Sequence, residues 1–205
     1  MAIYRRWILG LVAAPALLRA AEAGQAGPAL AQMTSPRSVG RPDAKYKVTE
    51  FFSLTCTHCA AFQREIFPKV KTDWIDTGNL LLTYHDFPLD KVALQAAMVA
   101  RALPPDRYEP FITTLFASQD RWAFARGINP TNEIQKLALL AGMPAETFQA
   151  TIANEQLKQF IIDEEQQAER DWKVDATPTF LANGKTHSGE MGYDSFVRFV
   201  AAAGG

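Results

Sequence analysis

The chain contains only two cysteines, and they lie three positions apart in the segment Cys56-Thr57-His58-Cys59. Where such a pair follows a strand and opens a helix, unpaired backbone N–H groups and the helix dipole stabilise a thiolate on the first sulfur. The second sulfur lies almost one turn further on, close enough to attack a mixed disulfide. We therefore predict a redox pair in which Cys56 attacks and Cys59 resolves.

His58 lies between the two cysteines. A protonated imidazole near a sulfur, or one that donates a hydrogen bond to it, favours the thiolate and lowers the pKa of the thiol. A stabilised thiolate makes the reduced protein more stable, so the disulfide becomes a stronger oxidant. His58 is thus a candidate catalytic residue, and the alternative is an ordinary solvated helix residue.

The cysteine pair has other interpretations. Only His58, His85 and His187 could join it as further Cys or His ligands, whereas a structural zinc site usually needs four ligands. An inert disulfide would close so short a loop that it would stabilise the fold only slightly. We expect no bound metal and no cofactor; a metal carrier that uses the two cysteines is the non-enzymatic alternative.

The first half of the chain predicts a strand, a helix and a second strand. Residues 47–52 have the residue types of a strand. Phe62, Ile66 and Val70 then recur every four positions along one face of a helix. Residues 80–84 form a continuous apolar run that is typical of a buried strand. This order predicts a βαβ unit.

The second half predicts helices first and strands later. Residues 91–172 contain almost nothing that is typical of a strand, and their apolar spacing indicates helices. Strands return on both sides of Asn183-Gly184, a two-residue hairpin signal, and residues 193–200 carry the apolar stripe of a C-terminal helix. The predicted fold class is α/β, a small central sheet flanked by helices and interrupted by an all-helical insertion.

The N-terminus has the pattern of a signal peptide over residues 1–23. The basic pair Arg5-Arg6 precedes a short apolar run, and Ala21-Glu22-Ala23 matches a cleavage site. The run is too short to span a bilayer, and a retained anchor is the alternative. The arginine pair and its flanks also resemble a twin-arginine signal. Either route predicts export to the periplasm, where disulfides persist.

The segment Ala176-Thr177-Pro178-Thr179 lies just before the predicted hairpin. A proline at the mouth of a strand can mark a strand start with an ordinary trans bond. Because the redox motif lies upstream, we expect the Thr177–Pro178 bond to be cis.

These motifs together resemble the DsbA family of thioredoxin-fold thiol:disulfide oxidoreductases. The matching segments are Glu50-Phe51-Phe52-Ser53, the cysteine segment that follows it, Thr177-Pro178-Thr179-Phe180 and the Asn183-Gly184 turn. The predicted insertion has the size and position of the family's helical domain. The resemblance extends from about Ser38 to the C-terminus.

The resemblance implies a thioredoxin-like fold in which Pro178 lies beside the cysteines and a substrate peptide pairs with the backbone near Thr177. Glu50 matches an acid that the family buries beneath the cysteines; an ordinary strand carboxylate is the alternative. The implied partners are reduced or unfolded exported proteins and a quinone-linked membrane reoxidase. The formal net charge of −1 and the pI near 6.3 give no reason to expect nucleic-acid binding.

Two departures bear on the activity. Thr57 stands where the well-known members have Pro, and Thr177 stands where Val is common. Thr before this proline is more typical of the isomerase branch, DsbC and DsbG, whose members need an N-terminal dimerisation domain. The segment before Lys47 is too short for one, so we expect a monomeric oxidase. An isomerase or reductase for a dedicated client is the alternative.

The predicted domain organisation follows from these patterns. Residues 24–46, rich in Ala, Gly, Pro and Ser, form a lead-in segment, and ordered structure begins near Lys47. Residues 47–205 form one thioredoxin-like domain, which the helical insertion interrupts at about residues 91–172.

Overall fold

The computed structural model describes residues 27–203. The predicted signal peptide at residues 1–23 lies outside the described residues. Within the described part, no helix is long and apolar enough to cross a membrane.

The centre of the fold is one five-stranded sheet with the strand order β1-β3-β2-β4-β5. Strands β2 and β3 are parallel, and the other neighbouring pairs are antiparallel. The strands are β1 (Arg37–Val39), β2 (Tyr46–Phe52), β3 (Leu80–Asp86), β4 (Thr179–Ala182) and β5 (Lys185–Ser188).

The two faces of the sheet are covered differently. Alternate residues of β3 are fully buried, so Leu80, Leu82 and Tyr84 point into the larger core. Phe51 points to the opposite face, into a small second cluster with Phe87, Ala168 and Val174. A strand that alternates in this way has period two. One face of the sheet therefore carries most of the core.

Ten α-helices lie in the described part of the chain. Those outside the insertion are α1 (Leu30–Met33), α2 (Thr57–Ala61), α3 (Phe67–Val70) and α10 (Tyr193–Ala203). A π-helical turn (Phe62–Ile66) joins α2 to α3, and a second one (Lys71–Ile75) follows α3. The helix after β2 is therefore continuous from Thr57 to Ile75 and contains two π-helical turns.

Six helices occupy the segment that was predicted to be helical. They are α4 (Lys91–Ala102), α5 (Pro105–Ala117), α6 (Gln119–Trp122), α7 (Pro130–Leu140), α8 (Ala145–Ile152) and α9 (Glu155–Trp172). Side chains cap three of them: Asp90 before α4, Asn129 before α7 and Asn154 before α9. The predicted α/β architecture with a helical insertion is confirmed.

The prediction that ordered structure begins near Lys47 is wrong, because α1 and β1 precede that residue. The strand β1 pairs with the edge of β3, and the buried Arg37 side chain donates a 2.7 Å hydrogen bond to the carbonyl of Arg101. A three-residue strand gives no periodic signal, and its partner residues lie about 45 positions further along the chain. Its position is a tertiary effect that local sequence does not reveal.

A buried ion pair ties the sheet to the insertion. The Nε atom of Arg101 in α4 donates to Asp86 at the end of β3, and both side chains are at most 4% exposed. The hydroxyl of Tyr108 donates to the other carboxylate oxygen at 3.4 Å. Buried charges are tolerated when they are paired and hydrogen-bonded in this way.

Breaking this pair should destabilise the protein. Asp86→Asn leaves the Arg101 charge buried without a counterion, which we expect to lower the free energy of unfolding by about 3–5 kcal/mol. The control is Asp43→Asn, which removes the partner of Arg41 in a pair that is 69% exposed on both sides and should cause no measurable loss. Urea unfolding measures both variants, and equal losses would contradict this interpretation.

Candidate active site

Cys56 caps the N-terminus of α2. Its backbone is extended, and its Sγ accepts a hydrogen bond from the backbone N–H of Cys59 at 3.4 Å. The strand β2 ends four residues earlier, at Phe52, and the backbone N–H of Cys56 donates to the carbonyl of Ser53 at 3.0 Å. The predicted position of the first cysteine, after a strand and at the start of a helix, is confirmed.

The loop that contains Thr177 packs against the sulfur of Cys56. The thiol donates a 3.2 Å hydrogen bond to the backbone carbonyl of Thr177, and the Thr177–Pro178 bond is cis, as expected. Cys56 is 7% exposed and Cys59 is 0% exposed. The thiol of Cys56 is therefore buried although it lies at a helix start, because the Thr177 loop packs over it.

The two thiols, both free in this structure, ionise very differently. A hydrogen bond from the Cys59 thiol is the largest cause that lowers the pKa of Cys56 to about 5; burial opposes it, and Thr177 and the backbone N–H groups of Cys59 and His58 add to it. The Thr177 hydroxyl is buried and has no partner among the described residues, so it can donate to a thiolate. Burial raises the pKa of Cys59 well above its ordinary value. Cys56 is therefore the thiolate of the pair.

Glu50 lies on the buried face of β2, beneath the cysteines. It is 1% exposed, and one of its carboxylate oxygens has no hydrogen-bond partner among the described residues. Burial, and then the charge of Cys56, raises the pKa of Glu50 to about 8. The structure places this side chain where the resemblance implied, and at neutral pH it holds a proton.

The structure places the His58 imidazole away from the sulfur, against a carboxylate. Its Nδ1 contacts Glu190, in the loop after β5, and both side chains are about 60% exposed. The hydrogen bond with Glu190 raises the pKa of His58. The imidazole makes no hydrogen bond to Cys56 among the described residues. The influence of His58 on that thiol comes mainly through its backbone N–H.

Sequence reasoning missed two residues of this site. Gln119 in α6 is buried, and its amide donates to the carbonyls of Leu54 at 2.8 Å and Cys56 at 3.0 Å. It fixes the loop that carries the attacking sulfur. Glu190 is the other, 132 positions from its partner His58. Both contacts are long-range, and neither residue belongs to a local motif, so no sequence signal marks them.

The candidate metal ligands are spread over the structure. Among residues 27–203, no group of three or more His, Cys, Asp or Glu side chains is placed to hold a metal ion. His85 in β3 lies 3.4 Å from Glu164 of α9, and His187 in β5 packs against Phe199. The three histidines thus occupy separate environments.

The family model described as thioredoxin matches residues 32–202. The chain belongs to the thioredoxin family. The putative protein-disulfide oxidoreductase of Rickettsia felis is 28% identical over 167 residues, which are 80% of this chain and 59% of that protein. DsbA of Yersinia pestis is 28% identical and the match covers 68% of this chain and 66% of that protein.

Among solved structures, alpha-DsbA1 of Wolbachia pipientis has a TM-score of 0.76 and 27% identity, with 83% of this chain and 91% of that chain covered. The resemblance to DsbA proteins and the thioredoxin-like fold are thereby confirmed. The chain spans little more than half the length of the rickettsial relatives it matches.

The hydrogen bond from Cys59 to the Cys56 sulfur can be tested with two matched variants. Cys59→Ala removes the largest contribution to the lowered pKa of Cys56, so that pKa should rise, whereas Cys59→Ser keeps a donor and should hold it lower. The rate of alkylation of Cys56 against pH measures both midpoints. A Cys59→Ala variant whose midpoint stays near 5 would show that this donor does not matter.

The contact between His58 and Glu190 predicts a second titration. Glu190→Gln removes the group that raises the pKa of His58, so the imidazole should lose its proton at lower pH than in the unaltered protein. Nuclear magnetic resonance of the His58 ring follows this directly. Glu65→Gln, which removes an exposed carboxylate of the nearby π-helical turn, is the control and should leave the titration unchanged.

Proposed function

We propose that this thioredoxin-family protein is a periplasmic thiol:disulfide oxidoreductase that introduces disulfides into exported proteins. The observation that carries the proposal is the contrast between the two sulfurs. Cys56 caps a helix and has a pKa of about 5, while Cys59 lies fully buried beside it with a raised pKa. The Cys56 sulfur is therefore suited to act as nucleophile and as leaving group, and the Cys59 sulfur is suited to resolve the mixed disulfide.

The reaction needs only the two sulfurs and a client with two thiols. A client thiolate attacks Cys56 in the Cys56–Cys59 disulfide, so one S–S bond breaks, a mixed S–S bond forms and Cys59 leaves with the electron pair. The second client thiolate then attacks the client sulfur of the mixed disulfide. Cys56 leaves as a thiolate, and the client keeps the new disulfide. Two electrons have passed from the client to the protein.

The lowered pKa of Cys56 favours the oxidising direction. Stabilising the thiolate stabilises the reduced protein, and a protein whose reduced form is stabilised oxidises its clients more strongly. Cys56 is also the leaving group of the second step, and thiols of lower pKa leave faster. The same charge stabilisation therefore supports both the driving force and the release of the client.

The backbone around Thr177 is suited to hold an extended client. Its carbonyl lies 3.2 Å from the Cys56 sulfur and accepts the thiol proton there. Once Cys56 is a thiolate or part of a mixed disulfide, this carbonyl is free to accept a client N–H. Pairing of an extended peptide with an exposed backbone segment is a general mode of recognition. Thr177 and Pro178 would thus form the client-binding loop.

The cellular setting belongs to the same proposal. The signal-like N-terminus and relatives that are named protein-disulfide oxidoreductase and DsbA support export to the periplasm. The reduced protein needs an electron acceptor after each cycle, and a quinone-linked membrane protein would supply it. A single copy of the chain carries both sulfurs and the Thr177 loop, which supports a monomer.

A trapping experiment tests the proposal. Cys59→Ser should accumulate mixed disulfides with an unfolded client that carries a disulfide, because Cys56 attacks the client S–S bond, one client sulfur leaves as a thiolate and no resolving thiol remains, whereas Cys56→Ser should trap none. Non-reducing gels with mass spectrometry identify the linked cysteine. Trapping by Cys56→Ser instead would reverse the two roles.

Activity assays separate the oxidase from its alternatives. The unaltered protein should oxidise a reduced unfolded client faster than it rearranges a scrambled one, and it should sediment as a monomer. A stable dimer with strong isomerase activity would contradict the oxidase. A redox potential near that of thioredoxin, measured against glutathione, would favour a reductase.

A further inference from the structure

Three buried polar atoms between the cysteines and helix α5 have no hydrogen-bond partner among the described residues. They are Glu50 Oε2, Tyr84 OH and Gln63 Oε1, on side chains that are at most 3% exposed. Glu50 and Tyr84 are neighbours on the parallel strands β2 and β3. Buried polar atoms are normally paired with protein groups or ordered water. Three such atoms close together need a physical reason.

The π-helical turn brings Gln63 to this place. Gln63 belongs to the turn Phe62–Ile66, and its amide points inward. Turns of this type occur frequently at functional sites. The amide Nε2 of Gln63 donates to the hydroxyl of Thr113 at 2.9 Å, and that hydroxyl donates to Glu109 at 3.1 Å. Glu109 is partly exposed on α5.

A line of polar groups therefore leads from the cysteines to solvent. Its inner end lies near both sulfurs, since the charge of Cys56 raises the pKa of Glu50 and the charge of Glu50 raises the pKa of Cys59. The charges of Glu50 and Glu109 raise the pKa of Tyr84, which burial raises most, while the Gln63 side chain acts in the opposite direction. We call this set of residues the polar line: Glu50, Tyr84, Gln63, Thr113 and Glu109.

The proposed reaction requires a proton to reach a buried sulfur. When the Cys56–Cys59 disulfide opens, the Cys59 sulfur leaves as a thiolate at a fully buried position. An isolated buried anion is costly, so this sulfur must take up a proton. Burial, the larger of the two causes that raise the pKa of Glu50, acts in the oxidised protein as well, so Glu50 can give a proton to Cys59. The Glu50 carboxylate must then be reprotonated from solvent before the next cycle.

We propose that Glu50 is reprotonated along the polar line, so that helix α5 of the insertion supplies the outer end of a proton path to Cys59. The inference rests on the proposed function. The carboxylates and hydroxyls, with bridging water, pass the proton. Gln63 is a positioning residue, whose amide orients the Thr113 hydroxyl. The other titratable groups that face the line are Cys56 from α2 and Tyr108 from α5.

The path can be tested at its outer end, where the side chains are only partly buried. Thr113→Val and Glu109→Gln each remove one group of the line with little change of shape. The matched control is Thr114→Val, which removes the neighbouring hydroxyl from the exposed side of α5, where it bonds the Pro110 carbonyl at 2.9 Å. The oxidised full chain is mixed with a reduced client peptide, and the rate is measured against pH in H2O and in D2O.

We expect the two line variants to react about a hundredfold more slowly at neutral and alkaline pH, the low end of what proton transfer contributes to enzymatic rates. Their solvent isotope effect should grow. Thr114→Val should match the unaltered protein in both respects. Tyr84→Phe, which keeps the ring and removes the inner hydroxyl, should behave like the line variants.

Two results would overturn the path. The line variants could match the control in rate, pH profile and isotope effect. They could also lose rate equally at every pH with no change in isotope effect, which is the signature of a structural defect. In both cases an unaltered protein that still oxidises the client leaves the proposed function standing. An unaltered protein that fails to react would instead overturn the proposed function itself.

Discussion

The negative charge on the Cys56 sulfur is the feature on which the rest of the site depends. The Cys59 thiol and the first N–H groups of α2 stabilise it from one side, and the Thr177 loop, 121 positions further on, stabilises it from the other. From the insertion, Gln119 donates to the carbonyls of Leu54 and Cys56 and so fixes the loop that carries the sulfur. The sheet brings these segments together, because β2 and β4 are antiparallel neighbours and the end of β2 lies beside the start of β4. A stable anion at this point requires the whole fold.

Much of this arrangement could be predicted from the sequence. The Cys56–Cys59 segment, the strand before it and the Thr177–Pro178 segment are local patterns, in which spacing and residue type determine the geometry. The order of strands and helices predicted the insertion, since residues 91–172 have helical periodicity throughout. What the sequence did not reveal are contacts made across the fold. The Gln119 amide, the Glu190 carboxylate and β1 act on partners far along the chain, and nothing in their neighbours' sequence marks them.

His58 shows why a motif alone does not determine a role. Its position between the cysteines suggested that the imidazole acts on the sulfur. Side chains near the start of a helix point outward as well as inward, and a carboxylate on a neighbouring loop competes for the ring. Glu190 holds the imidazole at the surface, so His58 acts on Cys56 through its backbone N–H and not through its ring.

Two carboxylates in neighbouring strands, Asp86 and Glu50, are buried in different ways. Asp86 pairs with Arg101 and helps to hold the insertion on the sheet. Glu50 has no such partner, and burial keeps it protonated up to a pKa of about 8. Because the pKa of Glu50 is raised, its contribution to the stability of the fold is fully present at pH values below its ordinary pKa of 4.5. This contribution is lost as the pH rises through about 8.

Cys56 has the opposite dependence. Its pKa is lowered from 9.0 to about 5, so its contribution to the stability of the reduced protein is present above pH 9 and is lost as the pH falls through about 5. Between pH 5 and pH 8 the reduced site therefore holds one negative charge, on the Cys56 sulfur, and one proton, on Glu50. Forming the disulfide removes the thiolate, and with it one of the two causes that raise the pKa of Glu50. Oxidation therefore lowers the pKa of Glu50, and reduction raises it again. Electron transfer at the two sulfurs is thus coupled to proton binding at Glu50.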